Sequence, residues 1–282
     1  MVRFRLLFAM TIAAMLAVAV PTALADTVES SNWAGYAVHK PGIRFTRVVA
    51  AWRQPRATCT AGSPSFSAMW VGLGGFNQSS DALEQIGSEM DCTASGRPVS
   101  SVWYELVPAP SRTIRMTVRP GDQLAATVTV SGTRTVLALT DVTSHRTFRR
   151  AFFVANPDVS SAEWIVEAPS ECINQNTCQT LPLADFGSTT FNLAQATAVG
   201  GHTGSISDPF WNDTQILLTP GGRRFVTLGG SGPTAGAAIP SGLSIKGTSF
   251  KVTFSTVTVP AAQLFARRSS VARAGYLVHP GR

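Results

Sequence analysis

Ala162-Glu163-Trp164-Ile165-Val166-Glu167-Ala168-Pro169-Ser170 is the stretch on which the reading of this chain turns. Trp, Ile and Val in succession, closed by Ala-Pro, specify a short strand that ends in a turn. The two-residue period of a strand puts Glu163, Ile165 and Glu167 on one face. Acids are scarce, 16 Asp plus Glu against 23 Lys plus Arg, and a strand of β-branched and aromatic residues has little use for two carboxylates unless they do chemistry. Burial of such a carboxyl raises its pKa and suits it to proton transfer. The alternative is an exposed sheet whose Glu residues face water.

The same texture extends in both directions. Thr46–Trp52, Ala68–Leu73, Val99–Val107, Thr113–Val118, Gln123–Val130, Val136–Asp141, Thr147–Val154, Glu163–Glu167, Phe225–Leu228 and Ser249–Val259 are rich in Val, Ile, Thr and aromatics. Clusters of Gly, Pro, Asn and Ser separate them. Only Pro182–Ala198 offers a place for a short helix. The pattern predicts one all-β domain over residues 26–259, an antiparallel sandwich or barrel.

The ends differ from the body. Arg3 and Arg5 precede an apolar run from Leu6 to Val20 and a small-residue site, Ala23-Leu24-Ala25, which together read as a secretory signal peptide over residues 1–25. The apolar run is short for a bilayer span, so a secreted, extracellular protein is expected, with no membrane partner once the leader is removed. Residues 260–282 form a basic tail with Arg267, Arg268, Arg273 and Arg282 among Ala and Ser. The formal charge of +7 falls to about +5 without the leader. The remaining Arg residues are scattered, and no nucleic-acid motif accompanies them. A monomer is the default, since nothing marks an oligomer surface.

The 4 cysteines of an exported chain are expected to pair. Spacing favours Cys59 with Cys92 and Cys172 with Cys178, although four cysteines allow three connectivities. Neither a CxxC pair nor a nearby His supports zinc. No cofactor or metal is expected. A Gly-x-Ser-x-Gly elbow and a His-Glu-x-x-His motif are both missing from the sequence, and His39, His145, His202 and His279 have no recognisable triad partner.

Three further strand-like stretches alternate polar or aromatic side chains with small ones. Trp70, Gly72 and Gly74 share a face, as do Gln85, Gly87 and Glu89, and Trp103 and Glu105. A large aromatic beside Gly leaves room for a ligand against the sheet.

With these residues in view, the chain resembles the glutamic peptidases, or eqolisins. The likeness is carried in order by Ser31-Asn32-Trp33-Ala34-Gly35-Tyr36, Trp70-Val71-Gly72, Leu83-Glu84-Gln85-Ile86-Gly87, Trp103-Tyr104-Glu105-Leu106-Val107-Pro108, Arg119-Pro120-Gly121-Asp122 and Ala162-Glu163-Trp164-Ile165-Val166-Glu167. The resemblance implies a concanavalin-like jelly roll, a sandwich of two antiparallel sheets whose concave face takes extended polypeptide substrates. It implies an acid endopeptidase whose catalytic pair, by motif position, is Gln85 and Glu167. Trp33, Trp70, Trp103, Glu105 and Glu89 are then candidates for substrate binding, with Glu105 placed to hold the Gln85 amide and Glu163 supporting the site from behind. A short disulfide after the catalytic strand is also a family feature, which Cys172 and Cys178 match. Two departures stand out. Fungal members carry an Asp where this chain has Gly74, and the leader runs almost directly into Asn32 without a long propeptide.

The chemistry is consistent with that pair. Hydrolysis of an amide without metal or covalent nucleophile needs a base for water, a donor for the oxyanion and a proton for the leaving amine. Glu167 would supply the first and last, and Gln85, which does not titrate, the second. A glycosidase using Glu105 and Glu167, or a lectin-like module in which Trp rings stack on sugars, are the competing readings.

Overall fold

The computed structural model describes residues 26–77, 79–174, 177–220, 222 and 236–256. The leader, the strand expected at Phe225–Leu228 and the tail lie outside the described residues, as do the side chains from Cys172 to Cys178. The described chain is all β. Its strands are β1 (Asp26–Ser30), β2 (Trp33–His39), β3 (Phe45–Arg53), β4 (Ala68–Leu73), β5 (Leu83–Cys92), β6 (Pro98–Val107), β7 (Arg112–Thr113), β8 (Gln123–Ser131), β9 (Arg134–Asp141), β10 (Arg146–Phe153), β11 (Ser161–Glu167), β12 (Ser170–Asn174), β13 (Thr177–Thr180), β14 (Ser188–Ala198), β15 (Thr203–Ser205), β16 (Asn212–Leu218), β17 (Ala237–Pro240) and β18 (Phe250–Ser255).

These strands build a sandwich. The back layer runs β10-β9-β8-β3-β14 and the front layer β18-β17-β16-β2-β11-β4-β5-β6-β7. β14 joins them: Ser188–Phe191 pair with β18, whereas Asn192–Ala198 pair with β3. The register shifts between Asn192 and Gln195, where Leu193 adopts a φ of 54°. A bulge of this kind bends a strand and lets it turn the corner between layers. All pairings of the named strands are antiparallel except that of β1 with β16.

The two layers differ in what covers them. In β8, Leu124, Ala126, Val128 and Val130 are buried and alternate with exposed or half-exposed neighbours, as expected of a sheet with one wet face. β2, β4 and β11 are buried on both faces. Their inward side chains, with Trp52, Phe191 and Phe250, form the core between the layers. Two indoles tie the layers together: Trp52 Nε1 donates to Ser88 Oγ at 3.0 Å and Trp164 Nε1 to the Val49 carbonyl at 2.8 Å. The outward side chains form a second cluster that includes Trp33, Trp70, Trp103 and Ile165.

Several expectations need correction. Pro182–Ala198 is no helix: its second part is the long strand β14. The Ala residues read as helix formers, but Ala194, Ala196 and Ala198 are buried at a period of two. Thr113–Val118 shortens to the two residues of β7. β1, β2, β12, β13, β14, β15, β16 and β17 lie outside the expected strand set: Gly, Ala, Asn and Gln dilute the β-branched content of β2, β14, β16 and β17, Asp, Glu and Ser that of β1, and β12, β13 and β15 are short. Cys59 pairs with Cys92 as expected, and the backbone register sets Cys172 opposite Cys178 on β12 and β13.

Gly35 lies in the middle of β2 with a φ of 150°, and a Cβ there would sit 2.0 Å from the Trp164 carbonyl oxygen. Backbone cannot yield as a flexible side chain can. Gly35→Ala is therefore expected to cost about 3 kcal/mol or more, read as a lowered denaturant midpoint. A loss below about 1 kcal/mol would show that β2 and β11 can separate locally.

Candidate active site

β11 lies between β2 and β4, and β5 and β6 follow. Three successive rungs of this ladder carry the candidate residues. The first aligns Trp33, Glu167, Ala68, Glu89 and Ser101; the second Gly35, Ile165, Trp70, Gly87 and Trp103; the third Ala37, Glu163, Gly72, Gln85 and Glu105. All of these side chains belong to one face of the front layer, since rungs two residues apart repeat the same side.

Glu167 is half-buried at the end of β11. Its Oε2 accepts from Trp70 Nε1 at 2.8 Å and its Oε1 from Asn32 Nδ2 at 3.4 Å. Asn32 is itself oriented, because its Oδ1 accepts from Ser30 Oγ at 3.0 Å. Both neighbours thus offer N–H groups, the contacts a carboxylate requires. Neither Asn32 nor Ser30 was among the residues expected at the site. Asn32 opens the Asn32-Trp33 motif, which was the only signal available for it.

Gln85 is 3% exposed. Its Nε2 donates to Glu105 Oε2 at 2.7 Å, while its Oε1 is buried without a partner. Burial pushes the Glu105 carboxyl up to about 7, partly offset by the Gln85 hydrogen bond. Glu89 accepts from Ser101 Oγ at 2.6 Å; burial raises it, and that hydrogen bond opposes the rise. Glu163 is completely buried, and desolvation holds it well above the usual carboxylate range.

Gln85 and Glu167 therefore share a face but not a rung. β4 separates their strands, and on ideal sheet spacings their backbones are roughly 16 Å apart. The Trp70 indole spans the interval. Its Nε1 meets Glu167, and its Cζ3 lies 2.9 Å from where a Gly72 Cβ would be, a point also 3.3 Å from Gln85 Cβ. Gly72 thus makes room for the protein's own Trp70 and Leu83 rather than for a ligand. Gly87 does the same, since a Cβ there would meet Trp70 Cβ at 2.6 Å. The three tryptophans form a floor: Trp33 is 1% exposed, Trp70 0% and Trp103 5%. Trp33 and Trp70 meet edge to face at 5.0 Å.

The missing carboxylate at position 74 has a substitute nearby. Gly74 has a φ of 87°, and a Cβ on it would lie 2.8 Å from Asp158 Cγ. Asp158 accepts from the Gly75 and Ser160 backbone N–H groups and from Ser80 Oγ. Burial alone would raise Asp158, but these hydrogen bonds outweigh it and hold the carboxyl below its ordinary value. An acid at the rim of the site thus comes from a different segment than the motif suggests.

One face of a two-layer antiparallel sandwich thus displays a hydrogen-bonded amide and several carboxyls. Residues 31–217 match the model of the peptidase A4 family, and the chain belongs to that family, the glutamic peptidases. It is accordingly an enzyme, an endopeptidase of the glutamic class. Aspergillopepsin-2 of Aspergillus niger is 29% identical over 202 residues, which cover 64% of this chain and 68% of the relative. Scytalido-glutamic peptidase, solved with a peptide-based transition-state analogue, superposes with a TM-score of 0.62 at 22% identity, covering 79% of this chain and 98% of that one. SCP-B, an eqolisin solved with the tripeptide Ala-Ile-His, gives 0.58 at 21% identity over 79% of this chain and 98% of its own. These structures share its fold.

Proposed function

We propose that this chain is a secreted, monomeric acid endopeptidase that cleaves unfolded polypeptides, with Glu167 as general base and then acid on a water molecule and Gln85 as the oxyanion donor. The observation that carries the reading is the placement of Glu167 and Gln85 on one face at either end of Trp70. A substrate strand laid over Trp70 would bring its scissile carbonyl and a water between the two groups.

The roles follow from the environments. Glu163 is the nearer carboxyl to Gln85 by rung, but it is completely buried, and desolvation raises it well above its ordinary value and so favours the neutral form, which takes no proton from water. Glu167 is half-open to the cleft and held by N–H donors. Water attacks the carbonyl carbon as its proton passes to Glu167, the oxyanion meets the second Nε2 proton of Gln85, and Glu167 then returns its proton to the departing amine.

The competing readings meet specific obstacles. Sugar stacking needs open indole faces, and the three floor tryptophans are buried. A glycosidase would need Glu105 free to act with Glu167 across the scissile bond, whereas its Oε2 is held by the Gln85 amide at 2.7 Å on the third strand from β11.

The test is cleavage of an unfolded protein between about pH 2 and 8 by the purified protein and by Gln85→Ala, with a metal chelator and a serine-protease inhibitor as controls. Acid-limited cleavage that ignores both reagents is expected, and the variant should lose about 10²–10³ in kcat. Full activity in Gln85→Ala would remove the amide from the mechanism.

A further inference from the structure

Gln85 presents an accounting problem. Its Nε2 makes a short bond to Glu105, yet its Oε1, on a residue 97% buried, accepts from nothing. A buried carbonyl oxygen is ordinarily satisfied. The group already bonded to this amide is the Glu105 carboxyl, and a carboxylate has no proton to give. A carboxylic acid has one.

We propose that Glu105 works as a neutral acid locked to Gln85 in a cyclic pair. Its Oε1–H donates to Gln85 Oε1 while its Oε2 accepts from Nε2. Two antiparallel hydrogen bonds fix the amide plane, so the second Nε2 proton stays aimed into the cleft. Glu105 is thus a positioning residue, acting through Gln85, and the inference rests on the reading of Gln85 as oxyanion donor.

The surroundings favour the neutral form. From β5, Glu89 faces Glu105 and its charge adds to the rise that burial imposes, while the Ser111 backbone and Gln85 oppose it. From β11, Glu163, which desolvation raises well above its ordinary value, lies in the same rung across Gly72. Arg112 on β7 pairs with Tyr104, one residue out of phase with Glu105, and so belongs to the opposite face. The one ion pair recorded among the described residues, His202 with Asp208, is elsewhere. With the carboxyl balanced near pH 7, the pair holds together in acid and comes apart above neutrality. Two facing oxygens then repel, and the oxyanion donor loses its aim.

The experiment combines kinetics with a readout independent of turnover. kcat and KM are measured on a peptide from acid to alkaline pH for the unmodified protein, Glu105→Gln and Glu105→Ala, with folding checked by circular dichroism at each pH. Infrared difference spectra between acid and alkaline pH follow the carboxyl itself. The unmodified enzyme should lose kcat above neutrality with little change in KM. Glu105→Ala should lose about 10–100-fold in kcat throughout. Glu105→Gln, whose amide can make the same cyclic pair at any pH, should recover most of that loss and shift the alkaline limb up by at least about one pH unit. The infrared band of a protonated carboxyl that titrates near neutrality should vanish in Glu105→Gln. An unmoved limb in Glu105→Gln, or a spectrum in which this variant keeps the band, overturns the proposal. If the unmodified protein cleaves nothing, the oxyanion role of Gln85 falls, and the infrared comparison still decides whether Glu105 is the neutral partner.

Discussion

Glu167→Gln is expected to abolish cleavage at every pH, by about 10³-fold or more, while leaving the fold intact. The substitution is nearly isosteric. A Gln oxygen at the same place still accepts from Trp70 Nε1, and the Asn32 amide can turn to meet the new group, so the contacts at 2.8 and 3.4 Å have replacements. What disappears is basicity. General-base catalysis contributes about 10²–10⁴, and here the same carboxyl must also return the proton to the amine, so both halves of the reaction suffer. KM should move little, because no substrate contact is removed.

The informative companion is Glu163→Gln. Glu163 sits in the same rung as Gln85, whereas Glu167 sits two rungs away. If sequence motif and burial have been weighed correctly, an amide in place of this neutral acid should alter kcat by less than about tenfold. An active Glu167→Gln beside a dead, folded Glu163→Gln would transfer the catalytic role to Glu163.

The resemblance ranked Glu167 above Glu163, but alternation alone could not, and the reason is register. The alternation of β11 put Glu163 and Glu167 on one face, and both lie there. Nothing in the chain says which residue of β5 stands opposite which residue of β4, since hydrogen-bond pairing leaves no periodic mark. The rung that sets Gln85 beside Glu163 and Glu105 is therefore visible only in the assembled sheet. Long-range substitutions are hidden in the same way. Asp158 supplies a carboxyl beside Gly74 from 84 residues along the chain, and no local pattern links them. Strands with dense Val, Ile, Thr and aromatic content, such as β4, β6, β8 and β11, were legible almost to the residue. β14 was not, because buried Ala at a period of two looks like helical Ala until its neighbours are known.

Stability should run opposite to that of most proteins, greatest near pH 4 and falling toward pH 8. Burial pushes Glu84 up to about 8, with the Asp158 charge adding to it, Asp91 up to about 7, with Glu89 adding, and Glu105 up to about 7; Glu163 is raised well above its ordinary value. Below the ordinary carboxylate range these groups are protonated in both the folded and unfolded chain, and the burial costs nothing in charge. Between about pH 4 and 8 the unfolded chain ionises freely while the folded one resists, so each group removes up to 1.36 kcal/mol per pH unit until its folded value is passed. Even a third of the combined effect amounts to roughly 4 kcal/mol, or about 10 °C in Tm for a chain of this size. Asp158 works the other way, losing its contribution only as pH falls below its ordinary value. Thermal melts at constant ionic strength decide the matter, and a higher Tm at pH 8 than at pH 4 would sink the idea. Glu84→Gln isolates one contributor: it should leave the acid Tm nearly unchanged and raise the Tm at pH 8. Glu84 pairs with Leu73 and Leu106, out of phase with Gln85, so it faces the core rather than the cleft. A variant that flattens the stability curve yet leaves the alkaline limb of kcat in place would therefore assign that limb to the catalytic face and not to unfolding.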